Sequence, residues 1–139
     1  MNLWRATPGS EEQVKAAEAL FDDPVDVAAT RRFLADGANV LLLAYVDGSP
    51  AGFVSGTVLS HPDKPVPELF LNELAVDEGY RGRGIGRALV AELWRVAQEV
   101  GCRGMWVLTD DDNAAANRVY TAAGGTRARE DVMYQWGQD

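Results

Sequence analysis

Apolar residues run almost unbroken from Val40 to Val46, and from Ala51 to Leu59 the chain places Phe53, Ser55, Thr57 and Leu59 on one face and Gly52, Val54, Gly56 and Val58 on the other. Both runs have strand length, Asp47-Gly48 between them is hairpin-turn chemistry, and Pro50 marks the start of the second strand. Shorter runs predict a first strand at Leu3 to Arg5, a central strand at Glu68 to Val76 and another at Met105 to Thr109. The alternation of Val132, Tyr134 and Trp136 predicts a closing strand. Elsewhere the apolar period lengthens to that of a helix. Ser10-Glu11-Glu12-Gln13 has capping-box spacing and opens a helix through Leu20, with Val14, Ala17 and Leu20 on one face, until Phe21-Asp22-Asp23-Pro24 stops it. A second helix, Val27 to Ala35, ends at Asp36-Gly37. Ala88, Leu89, Leu93, Val96 and Val100 mark a long helix that Gly101 ends, and a last helix runs from Ala114 to Ala123 before Gly124-Gly125.

Between the central strand and the long helix lies Asp77-Glu78-Gly79-Tyr80-Arg81-Gly82-Arg83-Gly84-Ile85-Gly86-Arg87. Glycines at 82, 84 and 86 let the backbone approach a ligand closely and turn several N–H groups one way. The first helical turn adds free N–H groups and the positive end of its dipole. Such a site suits a phosphate or pyrophosphate. Arg81, Arg83 and Arg87 gather positive charge here in a chain of formal net charge −8, which points to a bound anion rather than general adhesion. Two familiar answers fail on spacing. The dinucleotide fingerprint G-x-G-x-x-G meets Arg87 or Leu89 where its third glycine belongs, and the P-loop pattern meets Ile85-Gly86 where it needs Lys and Ser or Thr.

The spacing that fits is [Arg/Gln]-x-x-Gly-x-[Gly/Ala], met by Arg81, Gly84 and Gly86 directly after Leu74-Ala75-Val76. Here the chain resembles the GNAT N-acetyltransferase superfamily, whose loop holds the pyrophosphate of acetyl-coenzyme A. Asn113, Ala116, Tyr120 and Gly124 resemble its second signature, with Gly125 where phenylalanine is common. The resemblance implies an α/β fold with a mixed, mostly antiparallel sheet of six to seven strands, helices on both faces and a splayed central strand pair. It implies acetyl-CoA as co-substrate, held by Arg81, Gly82, Arg83, Gly84, Ile85, Gly86, Arg87 and Asn113. Backbone groups of Leu74 and Val76 would take the pantetheine arm, one of them near the thioester carbonyl, where a donor stabilises the charge that develops in acyl transfer.

From about Phe21 onward the similarity narrows. The segment Glu68 to Val76, the Phe21-Asp22-Asp23-Pro24-Val25-Asp26 region, the hairpin and the acidic stretch before Tyr120 look like the type I aminoglycoside 3-N-acetyltransferases. This implies direct transfer to a primary amine, the 3-amino group of an aminoglycoside, with no covalent enzyme intermediate. A polyamine, a small metabolite or a protein amine is the alternative acceptor, and a non-catalytic CoA-binding module the alternative class. A homodimer is expected by the same analogy.

An ammonium must lose a proton before it attacks a thioester, so a base is needed. Glu73, on the central strand beside the implied thioester site, is the carboxylate placed for this, as base or ammonium binder; a salt-bridged or substrate-orienting glutamate is the other reading. Tyr120, with a reference pKa of about 10, could protonate a departing thiolate of about 8.5, or could be a core tyrosine at helical spacing. Asp22, Asp23 and Asp26 follow the first helix and either face a cationic substrate or serve as solvated turn and cap residues. Asp110, Asp111 and Asp112 are likewise either ammonium partners or a solvated charge run. His61 is the single histidine, in a loop with Pro62, Pro65 and Pro67; it is read as a base or as a solvent-facing residue.

A chain of 139 residues suits one domain, 1–139, with an ordinary core. A pI near 4.6 argues against nucleic-acid backbones and anionic membranes as partners and is compatible with a small cationic amine. No apolar run approaches the ~20 residues of a membrane span, and Met1-Asn2-Leu3-Trp4-Arg5 lacks a signal peptide's apolar region, so the expectation is a cytoplasmic protein. The single cysteine, Cys102, excludes an internal disulfide and offers no metal cluster.

Overall fold

The computed structural model describes residues 1–128 and 132–137. A five-stranded sheet in the order β1-β2-β3-β4-β5 forms the middle layer. Its strands are β1 (Asn2–Arg5), β2 (Asn39–Val46), β3 (Ser49–Leu59), β4 (Glu68–Val76) and β5 (Met105–Trp106). The first four pair antiparallel and β5 joins β4 in parallel, so the sheet is mixed. Four α-helices accompany it: α1 (Glu11–Ala16), α2 (Val27–Ala35), α3 (Ile85–Val100) and α4 (Ala114–Ala122).

Both faces of the sheet are buried, which explains the unbroken apolar run of β2. Val40, Leu42 and Ala44 pack with Val54, Leu69 and Leu71 against the α3 residues Ile85, Leu89, Leu93 and Val96. Leu41, Leu43 and Phe53 face the other way, onto Val14, Ala17 and Leu34 of the α1–α2 layer. Close approach of α3 to the sheet requires glycine in β3. A Cβ at Gly52 would lie 2.9 Å from the Ala75 carbonyl oxygen and 3.2 Å from Leu89 Cδ1, and one at Gly56 2.8 Å from Leu69 Cδ2.

Several expectations need correction. The helix expected through Leu20 stops at Ala16 and continues as a 3-10 turn over Glu18–Leu20. Ser10 makes no capping bond; its Oγ turns back to accept from the Thr7 N–H at 3.2 Å. Gly37 does not close α2, because Asp36 is extended and Asn39 Nδ2 reaches back to the Phe33 carbonyl at 3.1 Å. The strand expected to reach Thr109 ends at Trp106. No closing strand forms among the described residues: Val132, Tyr134 and Trp136 are 77%, 78% and 88% exposed and unpaired with the sheet. Among the described residues the sheet therefore has five strands, where six to seven were expected.

Candidate active site

The site begins with an irregularity in β4. Ser55 is opposite Glu73, but Gly56 is opposite Leu71, so Asn72 is an extra residue, a β-bulge. Because side chains alternate, one inserted residue exchanges the faces of everything beyond it. Leu69 and Leu71 point to α3 before the bulge; after it Leu74 and Val76 do, and Ala75 packs with the α1–α2 layer. Glu73 therefore emerges on the α1–α2 side, beside Ser55, rather than against α3. The bulge also coincides with the end of pairing to β5: only Leu69 and Phe70 of β4 have partners there. From Asn72 onward β4 has no β5 partner among the described residues, so its β5-side edge is open.

Into that opening the glycine loop delivers the start of α3. A short 3-10 turn, Glu78–Tyr80, capped by the Asp77 carboxylate on the Gly79 N–H at 3.1 Å, turns the chain after β4. Gly82 and Gly84 both adopt φ +79°, in the left-handed region, and a Cβ at either would meet no protein atom within 4 Å. Their glycine requirement is thus conformational, and the space beside them is open. Gly84 is the N-cap of α3, so the N–H groups of Ile85, Gly86 and Arg87 have no acceptor within the helix. At Gly86 the constraint is packing rather than conformation: a Cβ there would sit 3.3 Å from Val119 Cγ2, where α4 crosses, a tight contact.

A cleft of about 860 Å³ runs along these parts, lined by Leu74 and Val76 of β4, by Arg81, Gly82, Gly84, Ile85, Gly86 and Arg87 of the loop, and by Asn113, Arg118 and Tyr120 around α4. Of the predicted anion-binding residues, Arg83 alone does not line it; its guanidinium stands 5.3 Å above the Tyr80 ring. Arg81 Nε donates to the Val76 carbonyl at 3.3 Å, and Asn113 caps α4 by accepting from the Ala116 N–H at 3.1 Å. Left-handed glycines, open space beside them and unshared helix N–H groups form a cradle that fits a pyrophosphate, and the open β4 edge fits an extended arm with amide groups.

Glu73 lines this cleft and also a smaller adjoining chamber of about 350 Å³. The chamber lies beneath the α1–α2 connection and is walled by Phe21, Val25 and Phe33, with Asp22, Asp23 and Asp26 at its polar side and Ser55 on the sheet. Asp22 is shared with the cleft. The connection is held in place: Glu18 Oε1 accepts from the Val25 N–H at 3.0 Å and from Lys15 Nζ at 2.8 Å, and Phe21 stacks on Phe53 at 4.1 Å. Asp26 spends its carboxylate on capping α2, accepting from the Ala29 N–H at 2.7 Å. Glu73 is reachable from the cleft, yet desolvation by the surrounding protein, and then the Asp22 charge, raise its pKa above the usual carboxylate range. Two carboxylates that disfavour each other's charge are a receptive place for a cation.

Burial pushes the Tyr120 phenol up as well. Tyr120 therefore stays protonated at neutral pH, with its hydroxyl proton available to a hydrogen-bond acceptor in the cleft. The acidic triplet does not itself line the cleft, although Thr109 and Asn113 on either side of it do. Asp110, Asp111 and Asp112 line neither cavity, and Asp111 pairs with Arg127. His61 also lies elsewhere, its Nε2 3.2 Å from Glu68 Oε2. Ser55, which no motif marks, lines the chamber from the same β3 face as Phe53. Among the described residues no group of three His, Cys, Asp or Glu side chains is placed to hold a metal ion, and no helix is long and apolar enough to cross a membrane.

Residues 2–124 match the model of the Acetyltransferase (GNAT) family. Curated relatives include an L-2,4-diaminobutyric acid acetyltransferase of Streptomyces coelicolor, 35% identical over 78% of this chain and 59% of that protein. Another is a mycothiol acetyltransferase of Sanguibacter keddieii, 38% identical over 69% of this chain and 31% of that protein. The chain thus spans less than two-thirds of the length of each of these two relatives. An aminoglycoside N(6')-acetyltransferase type 1 of Salmonella typhimurium is 27% identical over 73% of this chain and 77% of its own. Among solved structures, an aminoglycoside acetyltransferase from an uncultured soil metagenomic sample, in complex with sisomicin, superposes with a TM-score of 0.87 at 18% identity, covering 99% of this chain and 96% of that one. An aminoglycoside N-acetyltransferase in complex with CoA gives a TM-score of 0.80 at 21% identity, covering 97% and 93%.

Proposed function

Because the chain belongs to the GNAT acetyltransferase family, we propose that it transfers the acetyl group of acetyl-CoA directly to a primary amine of a small cationic acceptor. The observation that carries this reading is the single cleft in which the α3 N-terminus, the open edge of β4, Glu73 and Tyr120 meet. The loop from Arg81 to Arg87, without Arg83, holds the pyrophosphate through backbone N–H groups and the Arg81 and Arg87 charges, and β4 from Leu74 to Val76 aligns the pantetheine arm. Acetyl-CoA supplies the activated acetyl thioester. The chain supplies the rest. Glu73 binds the acceptor ammonium at the junction of cleft and chamber and takes one of its protons, an N–H bond breaking as an O–H bond forms, which leaves a neutral nucleophile. Its raised pKa brings it closer to neutrality, where proton transfer in both directions is efficient. Asp22 and Asp23 hold further positive charge of the acceptor beside it, and Tyr120 donates a hydrogen bond from the α4 wall.

The acceptor favoured here is an aminoglycoside, with the 3-amino group as the position implied by the likeness of the Glu68–Val76 segment to the 3-N-acetyltransferases. A second reading is a compact diamine, favoured by the chamber of about 350 Å³, room for only about a dozen water-sized volumes. Glu73→Gln tests the mechanism. Acetyl-CoA-dependent turnover should fall by about 10² or more while calorimetric CoA affinity stays unchanged, and the wild-type kcat/KM should have an acid limb above the ordinary carboxylate range. A variant that keeps its rate would remove Glu73 from the chemistry.

A further inference from the structure

Ser55 is 5% exposed, and its Oγ is the one sheltered side-chain polar atom among the described residues that has no hydrogen-bond partner. A hydroxyl withdrawn from water and left unpaired is costly, so its retention calls for a partner in some working state. Of its two cross-strand neighbours one is charged. Ser55 and Glu73 are Cα partners of the β3–β4 pair, and the bulge at Asn72 puts both side chains on the same face. Both line the smaller chamber, and Leu41, the other cross-strand partner of Ser55, is apolar.

We propose that Ser55 is a positioning residue for Glu73, its hydroxyl donating to the carboxylate when the side chain swings from the cleft back over the sheet. This rests on the reading of Glu73 as base. Two rotamers then divide the work: one presents the carboxylate to the acceptor ammonium, and the other parks it on Ser55 and stabilises its ionised form between turnovers. A donor to the charged form lowers a carboxyl pKa, so Ser55 opposes the rise that desolvation and Asp22 impose, and its loss must move the Glu73 titration upward. The other titratable groups around Glu73 are Asp22, Asp23 and Asp26 from the α1–α2 connection, Tyr80, Arg81 and Arg87 from the loop, and Arg118 and Tyr120 from α4. A change at Ser55 leaves all of them in place.

The test is a carbon-13 NMR titration of the Glu73 carboxyl, assigned by its absence in Glu73→Gln, in the wild type, Ser55→Ala and Ser55→Thr. Loss of a hydrogen bond to a charged group is expected to raise the Glu73 midpoint in Ser55→Ala by about one pH unit, with Ser55→Thr restoring the wild-type value and both variants melting within a few degrees of wild type. In turnover, the acid limb of kcat/KM should move to higher pH by the same amount, and Ser55→Ala should have no further effect in a Glu73→Gln background. An unchanged midpoint in a folded Ser55→Ala overturns the proposal, as does a rate loss that persists when Glu73 is already gone. If the midpoint shifts but no amine is acetylated, the Ser55–Glu73 contact stands and the acetyltransferase reading falls instead.

Discussion

Gly84 separates a conformational requirement from a steric one. It sits at φ +79° and ψ 11° with open space where a Cβ would project, so in the free protein Gly84→Ala meets no collision and incurs only the left-handed backbone penalty, about 1–2 kcal/mol for an alanine. That cost has two places to appear. If the loop keeps its shape in the free protein, folding carries the penalty, and at roughly 4 °C per kcal/mol for a domain of this size the melting temperature falls by about 4–8 °C. If the loop relaxes instead, the melting temperature holds, and binding must restore the strained shape before the N–H groups of Ile85, Gly86 and Arg87 converge. CoA affinity then weakens by about 5- to 30-fold. Differential scanning calorimetry of the free protein and titration calorimetry with CoA read the two parts, which should together account for the penalty. A Gly84→Ala protein with unaltered melting temperature and unaltered CoA affinity would refute the argument.

Glu68 ties β4 to β5, accepting from Arg103 at 2.9 Å, from Trp106 Nε1 at 2.8 Å and sharing a bond with His61. The Arg103 hydrogen bond leads the causes that hold its carboxyl below the ordinary range. A depressed carboxyl pKa gives stability that is present above the unfolded-state value and is lost as pH falls through the folded one, so thermal melts of wild type and Glu68→Gln should differ at pH 7 and converge in acid. At Gly56, a Cβ would come within 2.8 Å of Leu69 Cδ2 and 3.0 Å of the Phe70 carbonyl; Gly56→Ala should lower the unfolding free energy by about 1–3 kcal/mol in urea, without the relief that a side-chain shift alone could give.

How much of this was legible in the sequence depended on whether the signal was local. The glycine loop, the long α3 and its Gly101 stop, the β2–β3 hairpin and the α2 span are each set by turn chemistry or period within a few residues, and the structure keeps them. The capping box failed because Ser10 found a nearer partner in Thr7. The expected closing strand rested on alternation alone, which says which face a strand would bury but not whether a neighbour is there to pair with it. The position of Glu73 on β4 was readable; the face it occupies was not, since that follows from a bulge that exists only in the β3–β4 register. Ser55 was silent for the same reason. The acidic run Asp110 to Asp112 has the composition of a cation site, yet charge content carries no direction, and these residues lie outside both cavities.

Acetyl transfer is read by thiol release from acetyl-CoA with the purified protein, measured across gentamicin-type and kanamycin-type aminoglycosides, short diamines, polyamines and amino-terminal peptides. Saturable, acceptor-dependent release is expected with at least one small polycationic amine, reduced by about 10² or more in Glu73→Gln, and little with peptides. Tight CoA binding with no release for any amine would contradict it and leave a domain that binds the cofactor without using it.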